Sequence, residues 1–273
     1  MSLKHLLVHL DSTPRAAERL ELAISLARKT SARLTGLFAE VDQLGPSLVA
    51  HRNPLAIREA CDEARDHFMK GAATAGVASE WWPIEASAYS EILDLTVACC
   101  RYVDLAILGQ YEKANEKAPR DLVEQVFLDS GRPVLVVPSV GHYADVGRRV
   151  VIAWNATREA ARAVNDAIPL MKGADMVRVV AFQRQRNQTA SLPFPPAHII
   201  PHLAAHGIDA RLDLKVQAEE GANLVDTLLN YSFDVQADLT VLGGHGGRFP
   251  LHHAAGSTRD ILRSMPTPIL ISH

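Results

Sequence analysis

Gly243-Gly244-His245-Gly246 is followed, after nine residues, by Gly256-Ser257-Thr258. Those residue types at that spacing can hold a phosphate. Glycine lets main chain approach a ligand closely and tolerates positive φ. A helix that opens on Ser-Thr offers unsatisfied N–H groups and hydroxyls to an anion. The apolar run Leu239-Thr240-Val241-Leu242 ends abruptly at the first glycine, and Ser257 to Arg263 reads as the first turns of a helix. The expected chemistry is binding of a nucleotide's phosphate chain at the carboxyl edge of a strand. Arg248 and Arg259 are candidates for a guanidinium clamp on it. The plainer reading of Ser257-Thr258 is an N-cap, which uses the same geometry.

Catalytic equipment is not apparent. The chain has no G-x-x-x-x-G-K-[S/T] loop, no G-x-S-x-G elbow and no H-E-x-x-H pair. Any hydrolysis would rest on positioning and a phosphate-bound Mg²⁺, and would be slow. His198, His202 and His206 have the i, i+4, i+8 spacing of one helix face, which could hold Zn²⁺. Pro195, Pro196 and Pro201 argue against the uninterrupted helix this needs. No metal site is predicted.

The elements that must position the glycines occur twice. His5-Leu6-Leu7-Val8-His9-Leu10-Asp11-Ser12-Thr13 opens one half, and Arg149-Val150-Val151-Ile152-Ala153-Trp154-Asn155-Ala156-Thr157 opens the other. Val103-Asp104-Leu105-Ala106-Ile107-Leu108-Gly109 matches Ala237-Asp238-Leu239-Thr240-Val241-Leu242-Gly243, and each half closes on an apolar strand after Pro133 or Pro268. A repeat of about 135 residues means two copies of a domain rather than a solenoid. The expected domains are 1–140 and 148–273, with Ser139 to Arg148 as linker. In the first half, strands are predicted near Leu6–Leu10, Arg33–Phe38, Ile84–Ala88, Asp104–Leu108 and Val134–Val137, alternating with helices. Short, continuously apolar strands suit a parallel sheet covered on both faces. The predicted fold class is therefore α/β, as two tandem doubly wound, Rossmann-like domains of five strands each. Such sheets take ligands beyond the carboxyl ends of the strands, at the switch point, where Asn155 and Gly243 would emerge.

A net charge of −3 gives no reason to expect nucleic acid or an anionic membrane as partner. No apolar run approaches the roughly 20 residues that span a bilayer. The sparse cysteines Cys61, Cys99 and Cys100 suggest neither a metal nor a disulfide framework, so a reduced, cytoplasmic location is expected.

These features resemble the universal stress protein family in tandem form, over almost the whole chain. The resemblance rests on Gly243, Gly246, Gly256 and Ser257 in their G-x-x-G, nine residues, G-[S/T] spacing. Asp11-Ser12-Thr13 after the first strand and the closing run Gly131 to Pro138 add to it. It implies ATP as ligand, with Gly243, Gly246, Gly256, Ser257 and Thr258 at the phosphates, Asn155 near the nucleoside, and the backbone of Phe182 near the base. The first half departs from the pattern: its loop reads Gly109-Gln110-Tyr111-Glu112, and Asp121-Leu122 stands where the second half has Gly256-Ser257. Two carboxylates would face a triphosphate there, so one working site per chain is expected, in the second half. Lys113, Lys117 and Arg120 read as a solvated loop, and Asp11 as a cap for the helix after Pro14. The implied role is regulatory adenine-nucleotide binding in a stress response. A scaffold without nucleotide, or a slow ATPase that phosphorylates itself, is the alternative. The two halves are expected to imitate the dimer of single-domain relatives, with a homodimer of the whole chain also possible.

Overall fold

The computed structural model describes residues 2–41, 54–86, 88–113, 117–183, 195–216, 224–244 and 258–273. The chain divides into two compact units, Ser2–Asp145 and Val146–His273. The first runs β1 (His5–Leu10), α1 (Arg15–Thr30), β2 (Arg33–Phe38), α2 (Pro54–Thr74), β3 (Ser79–Pro83), α3 (Tyr89–Cys100), β4 (Leu105–Gly109), α4 (Leu122–Asp129), β5 (Val134–Val137). The second runs β6 (Arg149–Ala153), α5 (Arg158–Met171), β7 (Met176–Gln183), a 3₁₀ turn (Pro196–His198) leading into α6 (Ile199–Ala205), β8 (Ala210–Val216), α7 (Leu224–Asp234), β9 (Leu239–Gly243), α8 (Thr258–Ser264), β10 (Ile269–Ser272). Strand order is β3-β2-β1-β4-β5 in the first unit and β8-β7-β6-β9-β10 in the second, so the two sheets have the same topology. Neighbouring strands within each are parallel.

The central strands are closed off from water on both faces. Leu6, Leu7, Val8, Val150, Val151 and Ile152 are all fully buried. Each such side chain contributes about 1.5–3 kcal/mol of transfer free energy. The helices supply the cover. Along α5, Ala160, Ala163, Val164, Ala167, Ile168 and Met171 are buried, an i, i+3, i+4 stripe that fits one helix face against the sheet. Thr157 starts this helix by accepting a hydrogen bond from the Ala160 N–H.

The third strand lies at Ser79–Pro83, not at the expected Ile84–Ala88. Trp81 and Trp82 decide this. The Trp81 ring packs on Phe38 and Phe68, with ring centres 6.4 and 5.5 Å apart. It does so across Gly36, where a Cβ would lie 2.8 Å from Trp81 Cε3. Aromatic residues favour a pleated, half-buried surface, and here they outweigh the apolar look of the segment that follows.

Asp104 and Asp238 perform one task in both units. The Asp104 carboxylate accepts the backbone N–H groups of Lys4 and His5, at 2.7 and 2.9 Å. Asp238 accepts those of Gly147, Arg148 and Arg149, at 2.8, 3.0 and 3.1 Å. Each ties the beginning of its unit's first strand to the beginning of the fourth, and satisfies donors the ladder leaves over. The segment read as a linker begins against helix α1 of the first unit. Arg15 Nη2 donates to Pro138 O at 2.9 Å, and Lys29 Nζ pairs with Asp145 at 3.1 Å. Among the described residues, no helix is long and apolar enough to cross a membrane.

Candidate functional site

Strand order reverses between β1 and β4 in the first unit, and between β6 and β9 in the second, which opens a crevice beyond their carboxyl ends. The two crevices are furnished differently.

In the first unit the crevice is filled from within. Arg19, on the second turn of α1, is 3% exposed. Its Nε–H donates to the His9 carbonyl at 2.6 Å, and its Nη2–H to Asp11 Oδ2 at 2.9 Å. The guanidinium reaches across to β4, since a Cβ at Gly109 would lie 2.2 Å from Nη1. Asp11 does not cap α1 as expected. The residue before that helix is Pro14, with no side-chain cap. Asp11 Oδ1 instead accepts the Thr13 N–H at 2.9 Å and the Thr13 hydroxyl at 2.5 Å.

Lys117 departs from expectation too. Rather than standing in solvent, its ammonium donates to the buried Glu40 at 2.7 Å, while Glu40 accepts the Ser12 N–H at 2.8 Å. The Lys117 carbonyl in turn accepts the Val41 N–H at 2.8 Å. Asp121 accepts a hydrogen bond from the Tyr89 hydroxyl. Beside this mouth, a groove of about 200 Å³ between α1 and α2 is lined by Ser12, Ala16, Ala60, Glu63 and His67 among others.

Two buried titratable groups follow from this packing. Burial, the largest influence, lowers the His9 pKa below its ordinary 6.5 against the opposing pull of Asp11. Its ring Nε2 lies 2.8 Å from Ala39 O, which fits a neutral ring donating there. Burial alone would raise the Asp11 carboxyl. The Arg19 guanidinium and the Thr13 hydrogen bonds outweigh it and hold the pKa below 3.8. Both groups therefore bind protons more weakly folded than unfolded, so the stability they add is present at high pH and lost on acidification. The thermal midpoint should begin to fall as pH drops below about 6.5 as His9 resists protonation, and fall further below about 3.8. His9→Gln should flatten the upper step in a pH series of thermal melts; an unchanged profile would exclude His9 as its cause.

In the second unit the matching positions are small and neutral. Ala153, Asn155 and Ala163 stand where the first unit has His9, Asp11 and Arg19. Asn155 keeps the local turn: its Oδ1 accepts the Thr157 N–H at 3.2 Å and the Thr157 hydroxyl at 2.9 Å. That commits the oxygen and leaves the amide N–H₂ on an exposed residue. The next residue, Ala156, has φ of 57°. This left-handed backbone costs a non-glycine residue about 1 kcal/mol and is the kind of strain that gathers at ligand sites.

Gly243 ends β9 beside Ser272 of β10, and the Gly244 N–H donates to the Ser272 carbonyl at 2.8 Å. The Ser272 hydroxyl is buried and has no partner among the described residues. The closest approach to Gly243 comes from the protein itself: a Cβ there would lie 2.5 Å from Ala160 N and 2.6 Å from Glu159 C. A packing demand, which the motif alone did not reveal, thus accounts for this glycine.

Thr258 begins α8, with Arg259 exposed beside it. Phe182 lies on β7 with its ring against a core of Val151, Val180, Leu228 and Ala237, so the ring is packing and only its backbone runs along the strand end. Gly246, Gly256 and Ser257, with Arg248, lie outside the described residues.

The three histidines of the expected metal pattern do not share one helix. His198 closes the 3₁₀ turn, His202 lies on α6 and His206 follows its end. Metal-competent side chains that converge among the described residues are Glu18, Glu21 and His142, where His142 Nδ1 lies 2.6 Å from Glu18. These are surface groups and form an ion pair, with Glu18 raising the His142 pKa. The sequence reading does not single out Arg19 and places Lys117 in a solvated loop. A charged residue on the buried face of α1, one turn before Ala23, was the available signal for the first.

Two five-stranded parallel sheets, each with a crevice at the point of reversal, define a tandem doubly wound α/β protein. The chain has the fold of the universal stress proteins, in tandem two-unit form. A universal stress protein from Archaeoglobus fulgidus matches at a TM-score of 0.74 with 16% identity, covering 99% of this chain and 96% of its own. A protein from Pseudomonas aeruginosa assigned to the same family matches at 0.60 with 14% identity, covering 99% of this chain and 93% of its own. A universal stress protein from Archaeoglobus fulgidus in complex with dAMP covers 50% of this chain at a TM-score of 0.32 and 16% identity, and 98% of its own; its ligand is a property of that protein. No protein-family model and no curated protein matches.

Proposed function

We propose that the chain is a universal stress protein whose second unit binds an adenine nucleotide, ATP with Mg²⁺ carried on its phosphates, in a cytoplasmic regulatory role. In this reading Gly243, Gly246, Gly256, Ser257 and Thr258 cradle the phosphates. Asn155 and the Phe182 backbone face the nucleoside. The contrast between the two crevices carries the reading. Where the first is filled by a buried arginine bonded to aspartate, the second has Ala163 and an asparagine with an exposed amide. The Ser272 hydroxyl beside Gly243, buried and without a partner among the described residues, adds support, since such a group costs free energy unless something bonds to it.

Titration calorimetry with ATP and Mg²⁺ tests the proposal, and one site per chain is the expected stoichiometry. Gly246→Asp adds bulk and a like charge in the cradle and should weaken binding about tenfold or more. Two equal sites, or an affinity that Gly246→Asp leaves untouched, would overturn the placement.

A further inference from the structure

We propose that Arg19 is a resident ligand of the first unit. Its guanidinium fills a site built for a small guanidinium or amidinium cation, and keeps that crevice occupied whatever the chain binds elsewhere. The site has three sides. The His9 carbonyl takes the Nε–H at 2.6 Å, Asp11 Oδ2 takes an Nη2–H at 2.9 Å, and bare Gly109 leaves room for Nη1 where a Cβ would stand 2.2 Å away. Its acceptors are a carbonyl and a carboxylate, which suit a planar, forked cation carrying several N–H groups.

The position of the arginine is informative. It arrives from a helix, along a flexible stem, to meet groups presented by two strand ends. The repeat supplies the control: the second unit has Asn155 and, eight residues on, Ala163, so neither the aspartate nor the arginine recurs at the matching positions. A second set of bonds ties down the residues that follow β1 and β2. Lys117 bonds to Glu40, Glu40 bonds to the Ser12 N–H, and the Lys117 carbonyl bonds to Val41. Arg19, Asp11, His9 and Glu40 are all buried. The competing account is that Arg19 is half of an ordinary buried ion pair, with no space of its own once removed.

Truncation followed by chemical rescue separates the two. The full chain carrying Arg19→Ala should melt below the unmutated protein. Methylguanidinium at tens of millimolar should raise its midpoint by about 3 °C or more, as a ligand that binds only the native state must. Methylammonium at the same concentration should not, because it lacks the fork. The unmutated protein, and Arg19→Ala combined with Asp11→Asn, should show no such rise.

If Arg19→Ala fails to accumulate folded, Arg19→Lys takes its place, keeping the charge but vacating the fork, and should show a smaller rise. Equal responses of the variant and the unmutated protein, or a rise that survives loss of the Asp11 carboxylate, would overturn the proposal. No nucleotide enters the experiment, so its outcome stands apart from that of the ATP titration.

Discussion

Replacing Gly147 with alanine should destabilise the second unit by about 2–5 kcal/mol, the sum of left-handed backbone strain and overpacking. Gly147 has φ of 92°, and a Cβ there would sit 2.2 Å from the Leu170 carbonyl oxygen. That oxygen belongs to α5 backbone and cannot swing aside as a side-chain tip would. The same residue donates its N–H to Asp238 at 2.8 Å, so moving it also loosens the clamp on β6. Gly173 is the control. It lies in the same unit with φ of 79° but has nothing within 4 Å of its would-be Cβ. Gly173→Ala should therefore cost only about 1–2 kcal/mol, the conformational part alone. Urea denaturation of the two full-length variants checks the difference, and equal losses would show that the Leu170 contact does not matter.

Gly243→Ala should cost about 2–4 kcal/mol in the absence of any ligand, toward the upper end for overpacking. The new methyl would meet main chain of Glu159 and Ala160, at the first turn of α5. Relief requires that turn to lift from β9, which also disturbs Ala163 and Ala167 against the sheet. Gly109→Ala at the matching place in the first unit would meet no main chain but the buried Arg19 guanidinium, so its cost falls on the bonds to His9 and Asp11. If Gly243→Ala melted like the unmutated chain, the glycine would serve ligand approach alone. The measurement must be made without nucleotide, since mass action would otherwise mask the loss.

Much of this architecture was legible in the sequence because its signals are local. The apolar runs at Leu6–Val8 and Val150–Ile152, the duplicated Asp-Leu-x-x-Leu-Gly segments and the prolines before the closing strands each specify an element within a few residues. Strand β3 was not legible. Its position depends on Trp81 finding the gap above Gly36 and between Phe38 and Phe68, which are far away in sequence. The furnishing of the first crevice was missed for a like reason. Asp11 reads locally as a helix cap, and only the fold reveals Arg19 as its partner. Lys117 and Glu40 lie 77 residues apart and repeat that lesson. Asp104 and Asp238 recur in the repeated segments, but their use as acceptors for the first strand's amides depends on the sheet order.

That clamp separates two demands on a duplicated gene product. Asp104 and Asp238 secure the amino ends of the central strands, while the exchanges of His9 for Ala153 and Asp11 for Asn155 lie at the opposite ends. Mutation can therefore refashion one mouth without weakening the anchorage of its sheet. A lineage carrying both copies is free to let one drift toward a sealed, purely architectural module while the other stays open to solutes.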